Sequence, residues 1–299
     1  MTGHTLFASF AYPPNELGYC GPADAGHTEL GSHAREFDGA WPYLQAIADA
    51  AGEADPLDED VVRNYWVGGP LLDKVDSVEL LSRLRKSFTG QVTGLLDGLG
   101  DSAHPLAHHS FHVFVVYPWV QFLDRDPTTP VKVMQDCRIR WGTVESVDTE
   151  HATIVSQRLM FDGGVLTLGD PLAETVRWSK DGTSLAPPPA VGETVAAHWD
   201  WICGPLADAD CAAFTTGCGG QPCTACKQHT SGAFGTQAAR TISENGSPAG
   251  PIATGGSPAA ATLASVFCIP PTFNNTIDGV GDLPGPGAVS IQGTAQLVP

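Results

Sequence analysis

The apolar residues change their spacing once along the chain, at Val131, and that change limits the fold more than any other feature. Upstream, apolar positions recur every three and four residues, as a helix needs to bury one face; downstream they alternate, as a strand needs. The pattern predicts an α+β protein with a helical N-terminal domain over residues 1–128. A second domain over 129–215, built of short strands and a terminal helix, follows.

In the first domain, "SHAREFDGAWPYLQAIADAAG" places Phe37, Trp41, Leu44, Ile47, Ala48 and Ala51 on one helix stripe, with Gly52 as its stop. "LDEDVVRNYWVGG" reads as a helix capped by Asp58 and ended by Gly68. "DSVELLSRLRKSF" is a third, capped by Asp76 or Ser77 and turning Leu80, Leu81, Leu84 and Phe88 inward. "TGQVTGLLDGLG" is a helix weakened by its glycines; in "HHSFHVFVVYPWVQFLD" the β-branched and aromatic content favours a strand, whereas the length favours a buried helix kinked at Pro118, the reading preferred here.

In the second domain, "VKVMQDCRIRWGTVESVD", "HATIVSQRLMF", "VLTLGDPLAETVRWS" and "ETVAAHWDWICG" read as strands between Asp, Gly and Pro turns. Strands of this length and spacing predict a small barrel, closed at one end by a short helix in "LADADCAAF".

Beyond residue 215 the composition changes again. All seven Trp lie before residue 202, and the last 84 residues carry only five charges, Lys227, Arg240, Glu244, Asp278 and Asp282. Residues 216–299 therefore read as a low-charge, Gly/Pro-rich tail, expected from composition to be β-rich or disordered. It looks like the end of a secreted bacterial domain, and a fusion or frameshift after Phe214 would account for the join.

The net charge of −18 disfavours nucleic acid and anionic lipid as partners. The N-terminus has neither the basic cluster nor the apolar run of a signal peptide, and no stretch is long enough to span a bilayer, so the expected location is cytoplasmic. There is no phosphate-binding or dinucleotide-binding glycine pattern and no catalytic triad, so the chain is not expected to be an enzyme.

Cys137 and His198 are the leading site candidates. They fall on the first and last strands of the expected barrel, which are neighbours when a barrel closes. A thiolate beside an imidazole suits a transition metal, and the same pair serves thiol nucleophilic catalysis. His108 and His112 stand four apart and could bind a metal from one helix face, without the glutamate of a zinc protease between them. In the tail, Cys218, Cys223, Cys226 and His229 can close around zinc, or the cysteines can pair as disulfides with Cys268 in an exported segment. Cys20, in the turn Tyr19-Cys20-Gly21-Pro22, is a further possible ligand or a buried thiol.

Residues 134–214 resemble the HypC/HupF family of NiFe-hydrogenase maturation chaperones. Cys137 and Gly142 stand at the interval of that family's opening motif, followed by Val144, Val147 and Asp148. Val191, Gly192, Glu193, Thr194, Val195, Ala196, Ala197 and His198 are similar to its second block. The resemblance implies an OB-like barrel and a chaperone that binds the hydrogenase large-subunit precursor or another maturation factor. It also implies an iron cargo bearing CO and cyanide, held by Cys137 with His198 in support. Gly142 and Trp199, one in each block, are the accompanying candidate binding positions. Residues 1–214 as a whole are similar to an uncharacterised actinobacterial family encoded beside hydrogenases. Two other readings stay open: a structural hydrogenase subunit without a metal, and a thiol enzyme using Cys137 with His198.

Overall fold

The computed structural model describes residues 1–211 apart from 24, 101, 102 and 163; the tail motif of Cys218, Cys223, Cys226 and His229 lies outside them. Helix α1 spans Gly3–Glu16, α2 Trp41–Ala51, α3 Glu59–Trp66 and α4 Ser77–Ser87. Helix α5 is a single turn, His109–Phe111, continuing as a π-helix over His112–Val116, and α6 is Thr128–Cys137. Five strands follow: β1 Arg140–Val147, β2 His151–Asp162, β3 Val165–Arg177, β4 Thr194–His198 and β5 Trp201–Pro205.

The helix caps follow the sequence chemistry. Asp58 Oδ1 accepts from Asp60 N–H at the start of α3, and Asp76 Oδ1 from Val78 and Glu79 N–H at the start of α4. Gly52 ends α2 in the left-handed conformation at φ 77°. The expected continuous helix over 32–52 is instead a 3₁₀ turn, Ala34–Glu36, followed by α2. The reason is Pro42, which has no N–H to give a preceding turn and so belongs at a helix start. Of the expected helix in "TGQVTGLLDGLG" only a 3₁₀ turn at Leu96–Gly98 forms.

Two strand expectations are corrected. Residues 128–137 are a helix, so Cys137 stands at a helix end and not on a strand. Pro130, Val133, Met134 and Cys137 are its buried stripe, and Lys132 pairs with Asp136 one turn on at 2.6 Å. The segment "ETVAAHWDWICG" is a hairpin, β4 and β5, turned by Trp199 and Asp200. Trp199 sits at φ 52°, a conformation that L residues rarely adopt.

The strands form a mixed sheet with pairings β1-β2-β3-β5-β4, and β4 pairs back onto β1. All pairings are antiparallel except one parallel contact, Arg177 with Trp201. Gly142 lies inside this sheet: a Cβ there would stand 2.7 Å from the Val155 carbonyl oxygen. Glycine there allows the close approach of β1 to β2.

Ile139, Ala196 and Cys203 join residues of α1 to α4 in one apolar core. Trp201 Nε1 donates to the Glu16 carboxylate at 2.9 Å, and Lys180 pairs with the same group. These contacts fix the end of α1 against β5, and through it the backbone of α1 against His198.

Candidate metal centre

His109, Cys137 and His198 meet inside the protein, their ligand atoms all within 4.8 Å of one another. They arrive from three elements: the first residue of α5, the last of α6 and the last of β4. A tetrahedral ion bound by imidazole nitrogen and thiolate sulfur places its ligand atoms about 3.3–3.6 Å apart. The three therefore stand within a small inward movement of a coordinating geometry.

His198 owes its orientation to a proline. In α1 the carbonyl of Phe10 would ordinarily bond the N–H of residue 14, but that residue is Pro14 and has none. His198 Nδ1–H supplies the missing donor, 2.6 Å from the Phe10 oxygen. That bond fixes the tautomer and leaves Nε2 with a lone pair. Nε2 is wholly buried and has no hydrogen-bond partner. An imidazole whose other nitrogen donates to a backbone carbonyl is the arrangement that metal-ligating histidines use. Replacing Pro14 with alanine should restore a competing N–H. Metal affinity is then expected to fall about tenfold while the melting temperature does not drop; calorimetry and thermal unfolding of the variant check both.

His109 has a similar support. Its Nδ1 lies 3.1 Å from Tyr65 Oη, which is itself 2.8 Å from the Gly39 carbonyl. With Nδ1–H donating to Tyr65 and the tyrosine donating to Gly39, Nε2 is left with its lone pair. In the other proton arrangement Tyr65 donates to Nδ1, and Nε2–H donates to the Cys137 carbonyl at 2.8 Å. Cys137 Sγ is 4.0 Å from the same nitrogen. A cation would select the first arrangement, at the cost of the bond to the Cys137 carbonyl.

The electrostatics keep the donors neutral. Burial holds the His109 imidazole well below its ordinary value, with His198 adding to the effect. Burial likewise lowers His198 to about 3, opposed by its bond to Phe10 and by the Cys137 carbonyl, and aided by the Arg140 guanidinium. The Cys137 thiol is pushed far up by burial, then by Cys20 and Asp136. It stays protonated at neutral pH, which is unlike a catalytic thiolate. A bound cation would ionise it and release one proton.

The three residues line a cavity of about 500 Å³ whose lining also includes the exposed side chains of Tyr19 and Val92. Glu36 and Asp38 also line it, so the cavity favours cations over anions.

The other sequence candidates are placed differently. His108 does not act with His112: its Nδ1 accepts from Ser110 N–H at 3.0 Å and caps α5. His112 lines the cavity, with Nδ1 3.5 Å from Tyr43 Oη. Trp199 is not a cavity residue; it stacks on Tyr19 with ring centroids 4.4 Å apart, and its backbone N–H donates to the Asp136 carbonyl. His109 is the member of the cluster that sequence spacing missed. A pair four apart drew attention to His108 and His112, whereas the π-turn after α5 directs His109 and His112 inward together, with rings 6.5 Å apart.

Residues 1–221 match the family model described as a family of unknown function, DUF6390, and the chain belongs to that family. Neither the curated proteins nor the solved structures contain a match.

Proposed function

We propose that this DUF6390 member is an accessory protein of metal-centre assembly that holds a transition-metal ion through His109, Cys137 and His198. The observation that carries the reading is the buried lone pair of His198 Nε2, unpartnered and converging with a thiol and a second imidazole. An unsatisfied buried polar atom is costly, and a metal is the partner that the neighbouring groups suit.

The resemblance to hydrogenase maturation chaperones supports iron as the cargo and the large-subunit precursor, or another maturation factor, as the partner. The strand circuit that returns from β4 to β1 accords with a small OB-like barrel. On this reading the protein carries and delivers; it does not turn over substrate. The thiol-enzyme alternative is weakened by the protonated, buried state of Cys137. A purely structural subunit is favoured by one observation, the bond between His109 and the Cys137 carbonyl, which needs no metal.

Infrared spectroscopy and iron analysis of the chain purified without oxygen from its host separate these readings. Carriage predicts stoichiometric iron with CO and cyanide bands that vanish in Cys137→Ala. Absence of both iron and bands, with the partner still co-purifying, would make the protein a structural subunit. No helix among the described residues is long and apolar enough to cross a membrane.

A further inference from the structure

Three protein ligands leave a four-coordinate ion with one open position. The cavity wall beside them includes Tyr19, Cys20 and Gly21 of the loop after α1, so that loop brings a second thiol, Cys20, to the cavity. Cys20 and Cys137 are free cysteines of the same cavity.

The loop is held in place on both sides of the thiol. Asn15 Nδ2 donates to the Cys20 carbonyl at 2.9 Å and to the Pro22 carbonyl at 2.8 Å. Gly21 adopts φ 79°, and a Cβ there would stand 2.3 Å from the Phe37 ring, so only glycine lets the loop lie this close. Tyr19, on the other side, is stacked on Trp199. The independent sign of a ligand is His198 Nε2, wholly buried and unpartnered on the wall of the same cavity.

We infer that Cys20 is the fourth ligand, closing a site of two thiolates and two imidazoles around a divalent cation. The inference rests on the metal reading above. Cys20 is not among the side chains within 4.8 Å of one another, so its side chain must turn inward on binding while the loop backbone keeps its bonds to Asn15. The step is balanced: a divalent ion enters, two thiols become thiolates, and two protons leave to solvent. Three ligands come from packed helices and a strand, the fourth from a surface loop. The loop ligand can leave without unfolding an element, which suits a cargo that must be handed on.

His112 is the competing fourth ligand. It lines the same cavity, but its Nε2 stands 2.8 Å from the position a Gly39 Cβ would take, against the backbone at Gly39.

The test is cobalt(II) titration of the full chain with the four tail cysteines, Cys218, Cys223, Cys226 and Cys268, changed to serine. This protein is expected to bind one cobalt ion with strong sulfur-to-metal charge transfer and to release two protons. Adding Cys20→Ser should roughly halve the charge-transfer intensity, reduce the release to one proton, and weaken binding by about tenfold or more. Cys20→Ala, with an unchanged metal-free melting temperature, guards against a folding defect. Unchanged intensity and proton count in both Cys20 variants would overturn the inference and leave the three-ligand reading standing, as would their loss in His112→Ala alone. No cobalt binding before Cys20 is altered would overturn the metal reading itself.

Discussion

Replacing Cys137 with alanine is expected to lower transition-metal affinity by more than about 100-fold while leaving the fold intact. Loss of a residue that only supports a ligand costs about 10- to 100-fold, so loss of the sole thiolate among the three converging groups should exceed that range. Cys137 is 8% exposed and packs at the end of α6. Alanine there removes one sulfur atom, and a small buried cavity of this kind costs on the order of 1–3 kcal/mol. His109→Ala and His198→Ala should reduce affinity comparably. His108→Ala, whose imidazole caps α5 and does not reach the other three, should lower stability while sparing metal affinity. Competition titration with a chromophoric chelator, on protein lacking the tail cysteines, measures all four. Equal affinity in the Cys137 and His108 variants would contradict the assignment.

Loss of stability in mild acid is the second large effect. Four histidines are held in neutral form: 108, 109 and 198 are buried and 112 is half-buried. Burial lowers His108 and His112 to about 4 and His198 to about 3, and holds His109 well below its ordinary range. In the unfolded chain the same groups protonate near pH 6.5. Between those values the unfolded state binds more protons, so stability falls as pH falls. The slope approaches about 1.4 kcal/mol per pH unit for each histidine. Above pH 7 neither state binds these protons and the effect is absent. One unit below pH 6, four such groups together can remove about 5 kcal/mol, against a typical total of about 5–15. Urea unfolding at pH 7, 6 and 5 should show a midpoint that drops steeply, and a flat midpoint over this window would contradict the buried neutral state. A bound metal should resist the drop, since protons and metal compete for the same nitrogens.

The parts of the fold that the sequence announced are those governed by local chemistry. Asp58, Asp76 and Gly52 mark helix ends because a carboxylate or a left-handed glycine satisfies orphaned backbone groups wherever it occurs. Strands β2 and β3 were legible from alternation alone. Residues 128–137 misled because Val131 and Val133 alternate with Lys132, while the longer stripe of Pro130, Val133, Met134 and Cys137 decides the outcome through burial against β2 and the π-helix. The hairpin at Trp199 was hidden because its turn has neither Gly nor Asn; the strain is borne by the stack on Tyr19, a contact 180 residues away in sequence.

The candidate site divides in the same way. Cys137 and His198 could be picked out by residue type and by resemblance. His109 could not, because its partners Tyr65 and Cys137 are remote and the π-turn that aims it inward has no sequence signature here. One signal was readable in principle. The Pro13-Pro14 pair leaves the Ser9 and Phe10 carbonyls without helical donors. A buried side-chain donor was therefore required, and His198 is the one that reaches Phe10.

X-ray absorption at the metal edge tests the central claim most directly. The full chain, with its four tail cysteines replaced by serine, would be loaded with one equivalent of iron(II) under nitrogen. The account predicts sulfur scattering near 2.3 Å together with the outer-shell pattern of two imidazoles, and loss of the sulfur shell contributed by Cys137 in Cys137→Ala. A shell of oxygen and nitrogen alone, identical in both proteins, would contradict it.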